Sequence, residues 1–172
     1  DLYWRAHKLG GGTLETAPRT SKVAFKLCDM DRFGQKTSRG YYIYDDNRRA
    51  TPDPEVEAII RETAAELGIE QREVADDEVL NRCLYPLINI GAQILDDGIA
   101  LRPSDLDLVY CHGYGFPKHR GGPMFWANEK GLGAVVDDMN RYAEELGEHW
   151  RPAPLLERLA REGGGFDVLT SS

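Results

Sequence analysis

Apolar residues recur at helical spacing along most of the chain after residue 50. In ATPDPEVEAIIRETAAELGIE, Val56, Ile59, Ile60, Ala64 and Leu67 fall on one face of a predicted helix. Asp53 is placed to cap it, Pro54 suits the first helical position, Glu55 favours the positive end of the dipole, and Gly68 is a natural stop. A longer helix is predicted over about 76–97. Val79, Leu80, Cys83, Leu84, Leu87, Ile88, Gly91, Ile94 and Leu95 give it an apolar face broad enough for a central buried helix. Pro86 in its interior predicts a kink, and Gly98 ends it.

Shorter helices follow. RPSDLDLVYCHG is expected to start at Ser104 as cap, with Leu106, Val109 and Tyr110 inward. PMFWANEKG starts at Pro123. LGAVVDDMNRYAEELG turns Leu132, Val135, Met139, Tyr142 and Leu146 inward, and APLLERLAREGGG does the same with Leu155, Leu156 and Leu159 before its closing glycines. Five or six helices with short joints predict an all-α helical bundle over 51–172.

The first 50 residues read differently and form an extended N-terminal segment. DLYWRAHK is expected to be the end of a helix, and GGGTLETAPRT a flexible linker. SKVAFKLCDMDRFGQKT offers a short helix with Val23, Leu27 and Met30 on one face. YYIYDD (41–46) is a short strand or extended segment, with no obvious second strand to pair with it.

Composition narrows the function classes. The 172 residues carry a formal charge of −8, which argues against nucleic acid or an anionic membrane as partner. No apolar run reaches the ~18 residues that a membrane helix needs, and no basic-then-apolar leader opens the chain. It begins with Asp1 rather than Met, so a fragment or processed product is expected. The three cysteines, Cys28, Cys83 and Cys111, are widely spaced and form no CxxC pair. Free thiols in a reducing, cytoplasmic location are the expectation.

Little in the chain announces chemistry. HGYGFPKHRGGPMFWA (112–127) is rich in glycine, but Gly113 and Gly115 are followed by Lys118 where a dinucleotide fingerprint needs a third small residue, and a helix rather than a strand precedes them. Two readings of this loop stay open. Lys118, His119 and Arg120, beside Gly121 and Gly122 at the start of a helix, are candidates for holding a substrate or another anion. The favoured alternative is a solvated basic tip above a close helix crossing. The four histidines, His7, His112, His119 and His149, have no metal-ligand spacing, so no metal site is expected. Cys111 and His112 are neighbours on a helix and point about 100° apart, a poor nucleophile–base pair. Asn81, among apolar neighbours, either holds a substrate oxygen, as the only catalytic candidate, or ties two helices together.

LNRCLYPLINIGAQILDDGIALRPSDLDLVYCHGYGFPKHRGGPMFWANEKGL resembles the C-terminal helical domain of 3-hydroxyacyl-CoA dehydrogenases, and most of all the second, final copy of that domain in multifunctional β-oxidation enzymes. DRFGQKTSRGYYIYD resembles the segment that closes the first copy, and DLYWRAHK its last helix. The combination of NRxLYPLIN, DGIA, SDLD, GYGFP and RGGPMFWA is what makes the likeness specific.

The resemblance implies a fold like the C-terminal domain of 6-phosphogluconate dehydrogenase. It places residues 1–50 at the end of the preceding copy and its linker, and the C-terminal domain at 51–172. It also implies a parent oxidoreductase in which a Rossmann domain binds NAD and supplies a His–Glu pair, with His as general base, to oxidise the 3-hydroxyl of an acyl-CoA. Multifunctional members carry a crotonase-like half as well. The helical domain of the first copy offers an Asn near the reacting groups, and Asn81 and Arg82 match its NR pair, here in a second copy. Where the family commonly has Glu after the LIN stretch, this chain has Ile90, which favours packing for Asn81. The expected fragment binds no cofactor of its own and is inactive alone. It packs on the Rossmann and first helical domains, helps close the cleft on acyl-CoA, and pairs as a homodimer when isolated. The competing reading is a self-contained anion- or CoA-binding module built on 118–122 and Asn81.

Overall fold

Helical periodicity dominates the structure. The computed structural model describes residues 2–18 and 22–170, and among these it holds eight α-helices and one two-stranded sheet. Arg19 and Thr20 of the expected linker, Ser21 at the start of the expected second helix, and the terminal residues Asp1, Ser171 and Ser172 lie outside the described residues. The chain divides into two compact units, 1–73 and 74–172.

The first unit holds α1 (Leu2–Leu9), α2 (Lys22–Asp29), strands β1 (Tyr42–Tyr44) and β2 (Ala50–Pro52), and α3 (Pro54–Glu66). A buried arginine organises it. Arg32 donates from Nε to the Gly40 carbonyl at 3.1 Å, pairs with Asp53, and reaches Glu55 at 2.6 Å. Asp53 meanwhile caps α3, accepting from the Glu55 amide at 3.0 Å. One carboxylate therefore fixes the helix start and neutralises a buried guanidinium, and the guanidinium holds that carboxyl below the ordinary carboxylate range.

This coupling explains why the unit boundary falls at 73/74 and not near residue 50. α3 packs on α2, Lys26 meets Glu66 at 2.7 Å, and the cap of α3 is the partner of Arg32. The strand over 41–46 does have a partner: β1 pairs antiparallel with β2, with Ile43 opposite Thr51. β2 contains Pro52 and no alternating apolar pattern, so periodicity alone does not reveal it. The segment expected as a linker folds back. His7 lies 2.9 Å from the Thr13 carbonyl, and Lys22 donates to the Glu15 carbonyl at 2.7 Å. On α2 the buried side chains are Phe25, Leu27 and Cys28, while Met30, expected inward, is exposed.

The second unit contains five α-helices: α4 (Asp76–Asp96), α5 (Pro103–Gly113), α6 (Pro123–Lys130), α7 (Leu132–Leu146) and α8 (Pro154–Arg161). The all-α class expected for this region is the observed one. Its core joins Tyr85, Ile88 and Ala92 of α4 to Met124 and Ala127 of α6, Val135, Met139 and Tyr142 of α7, and Leu155, Leu156 and Leu159 of α8. Full burial of each large side chain contributes about 1.5–3 kcal/mol.

α4 runs through Pro86, which sits on its exposed side. Its facing differs from expectation. The buried line is Asn81, Tyr85, Ile88 and Ala92, whereas Val79, Leu80 and Ile90 are 50%, 46% and 53% exposed. The apolar positions wrap around both sides of the helix, so a broad apolar face does not identify the core side. Val109 of α5 and Leu146 of α7 are likewise exposed against expectation. Among the described residues, no helix is long and apolar enough to cross a membrane.

Asn89 locks α8 to α4. Its Oδ1 accepts from the Ala153 amide at 2.6 Å, and its Nδ2 donates to the Arg151 carbonyl at 2.9 Å. Asn128 acts similarly, accepting from the Phe166 amide at 2.7 Å. Asn89→Ala removes both ends of the first clamp and leaves backbone groups unpaired beside the core. The expected loss is about 1–3 kcal/mol in urea unfolding followed by circular dichroism, with the helical content retained.

Candidate functional site

The loop over 112–127 is a corner between helices. α5 ends at Gly113, the Phe116 amide returns to the Tyr110 carbonyl at 3.0 Å, and Gly115 adopts φ 74°. A short 3-10 turn, Lys118–Arg120, is closed by Gly121 at φ 77°, and α6 begins at Pro123.

Gly122 permits the tightest approach. At φ 113° its backbone passes so close to α5 that an added Cβ would lie 2.3 Å from the Asp107 carboxylate. Asp107 uses that closeness to cap α6 from the neighbouring helix, accepting from the Met124 amide at 2.7 Å and the Phe125 amide at 3.1 Å. Burial pushes this carboxyl above its ordinary value, against the downward pull of the two amides.

The cap has a chemical consequence. The Met124 and Phe125 amides of α6 are already taken by Asp107, so an anion beside Lys118, His119 and Arg120 would be met by side chains rather than by those two amides. The same feature makes the loop a poor fit for a dinucleotide. Its pyrophosphate needs a free helix N-terminus after a strand, and here α5 precedes.

The basic residues are exposed, and the structure regroups them. His119 and Arg120 line a cleft of about 330 Å³ together with Phe125, Trp126, Glu129 and Lys130. Lys118 is not in this lining, and neither is Asn81. The helical spacing of Phe125, Trp126, Glu129 and Lys130 was visible in the sequence, but the way the 3-10 turn folds against them was not.

Asn81 lies at a polar joint between α4 and α7. It is only 7% exposed, and its Nδ2 is 3.5 Å from Asp138. The Tyr85 hydroxyl donates to the same Asp138 oxygen at 2.7 Å, and Arg141 holds the other oxygen at 2.8 Å. Burial opposes ionisation of Asp138, but the Tyr85 hydroxyl and the Arg141 guanidinium hold it below the usual carboxylate range. Burial and that same carboxylate push the Tyr85 phenol up. Tyr85 also packs near Trp126, with ring centroids 6.4 Å apart. The hub is Asp138, whose membership of an Asp137–Asp138 pair reads as plain helix surface.

Two smaller expectations change. Ser104 is not the cap of α5; the start is held by Asp105, which accepts from the Arg102 amide at 3.1 Å. Cys28 is buried, Cys111 half-buried and Cys83 exposed. Among the described residues, no three His, Cys, Asp or Glu side chains gather as a metal site would.

The Asp138 joint gives a pH prediction. A carboxyl held below its unfolded value stabilises the fold fully above the ordinary range of about 4, and the contribution is lost as pH falls through the folded value. Tyr85→Phe is expected to raise the Asp138 pKa in a carboxyl-carbon NMR titration. Asp138→Asn is expected to flatten the acid limb of stability.

Comparison with known proteins places this arrangement. The family described as 3-hydroxyacyl-CoA dehydrogenase, C-terminal domain, matches residues 79–165. The chain is 39% identical over 178 residues to the peroxisomal bifunctional enzyme of Danio rerio, a match that covers 95% of this chain and 25% of that protein. It is 31% identical over 136 residues to the glyoxysomal fatty acid beta-oxidation multifunctional protein MFP-a of Brassica napus, covering 77% and 19%. Among solved structures it is similar to the dehydrogenase part of multifunctional enzyme 1 from C. elegans, with a TM-score of 0.63 and 28% identity over 90% of this chain and 34% of that one. The chain spans a quarter or less of the length of these two curated relatives. With its helical unit matched almost from end to end, the chain belongs to the 3-hydroxyacyl-CoA dehydrogenase C-terminal domain family.

Proposed function

We propose that this chain is the closing helical part of a multifunctional β-oxidation enzyme and that it packs against the preceding domains rather than performing chemistry. In this reading an NAD-binding domain outside the chain oxidises the 3-hydroxyl of an acyl-CoA. The unit over 1–73 contains the close of a preceding helical copy and the linker, and the unit over 74–172 is the final copy. The names of the relatives are peroxisomal and glyoxysomal, so we assign the longer protein to such a compartment in place of the cytoplasm.

The observation that carries this reading is the second apolar line on α4. Val79, Leu80, Cys83 and Ile90 lie on the side away from Asn81, Tyr85, Ile88 and Ala92, and all four are exposed. A line of that kind on a domain belonging to a much longer protein suits a neighbouring domain. The commitment of Asn81 to Asp138 supports a packing role for it, and Ile90, where relatives of this family commonly carry Glu, points the same way.

The isolated chain offers that line to a second copy, which gives a symmetric surrogate for the missing neighbour. Sedimentation equilibrium is expected to report a homodimer, and Ile90→Lys to shift the chain to monomer while leaving its helical content unchanged. Mixed with NAD and a 3-hydroxyacyl-CoA, the chain alone is expected to produce no NADH absorbance. A monomer at high concentration contradicts the packing surface, and steady NADH production contradicts the assignment of the chemistry elsewhere.

A further inference from the structure

The cleft beside α6 lies apart from the exposed line on α4, and of its lining residues Trp126 packs against the core. Two of its basic side chains form no ion pair among the described residues. Arg82, Arg102, Arg141 and Arg151 each hold a carboxylate. Arg120 and His119 have no ion-pair partner among the described residues, although the chain as a whole is acidic. A further basic side chain, Lys130, lies 5.9 Å from the centroid of the Trp126 ring.

The aromatic walls are held in place. Trp126 is half-buried, with the Tyr85 ring 6.4 Å behind it, so the core restrains the indole. Phe125 is half-exposed and rests against Gly121, where even a Cβ would come within 2.5 Å of its ring. Glu129 is the one carboxylate in the lining. It disfavours a ligand charged along its whole length and accepts from an amine or hydroxyl.

We propose that this cleft binds a phosphate-bearing aromatic ligand with the chemistry of an adenine nucleotide. Arg120, His119 and Lys130 meet the phosphate, Phe125 and Trp126 offer ring faces to the base, and Glu129 takes a hydrogen-bond donor. At about 330 Å³ the space lies at the small end of ligand pockets, about 300–1,000 Å³, and suits one base and its phosphates rather than a whole dinucleotide. The proposal stands on the cleft and does not depend on the packing role proposed above.

The test is a titration of the full 172-residue chain followed by amide and indole NMR, with ADP, adenosine, pyrophosphate and coenzyme A as separate probes. ADP is expected to shift the Trp126 indole and the amides of 119–130. Adenosine and pyrophosphate, each lacking half of the recognition, are expected to bind at least about tenfold more weakly. Arg120→Ala and Lys130→Ala, both on the exposed surface, are each expected to weaken ADP about tenfold while leaving the core resonances in place.

Coenzyme A carries a 3′-phosphorylated ADP. Tighter binding than ADP assigns the cleft to a thioester-type ligand, and equal or weaker binding to a free nucleotide. Pyrophosphate binding as tightly as ADP, ADP shifts that survive both substitutions, or no ADP shifts at all would overturn the proposal.

Discussion

The amides at buried helix starts are the constraint on which the helical unit depends. A helix leaves its first amides without intrahelical partners, and beside a core those amides have no water to turn to. α6 and α8 are each 8 residues long, too short to persist alone. Both are held by oxygen atoms reaching across from other helices: Asp107 of α5 caps α6, and Asn89 of α4 binds the amide just before α8. The C-terminal turn is fixed the same way by Asn128. The buried core supplies most of the driving force, and these polar bonds decide which helix end docks where.

Functional geometry follows from the same bonds. Because Asp107 takes the Met124 and Phe125 amides at the start of α6, those two amides are not open to an anion, and the basic turn over 118–120 is left to face Phe125, Trp126 and Lys130 from the side. Tyr85 and Asn81 meet Asp138 between α4 and α7, which turns that side of α4 inward and leaves Val79, Leu80 and Ile90 outside. One face of α4 thus builds the domain, and the other is free for a neighbour. This division of labour suits one domain of a longer protein, since the chain spans a quarter or less of the curated relatives it matches.

Much of the helical unit was legible in the sequence, because apolar spacing and end signals report elements directly. Pro123 starts α6, Leu132, Val135, Met139 and Tyr142 face the core, and Leu155, Leu156 and Leu159 do likewise. The facing of α4 was not legible, since its apolar residues occupy both sides and only the partner helices decide between them. The β1–β2 pairing was hidden because Ala50–Pro52 carries no strand pattern of its own. The polar joints escaped for a related reason. Asp107, Asn89 and Asp138 look like ordinary helix-surface residues, and their value lies in contacts 17 to 64 positions away along the chain. His119 and Arg120 were recognisable as basic, but their grouping with Lys130 and Trp126 depends on how the turn packs.

Four amides, those of Met124, Phe125, Ala153 and Phe166, bond to side chains rather than within a helix ladder. Amide hydrogen exchange on the isolated chain reads each of them separately. All four are expected to exchange as slowly as the middle of α4 and to open only when the helical unit unfolds as a whole. Exchange of these four at the rate of exposed loop amides, with α4 still protected, would contradict this.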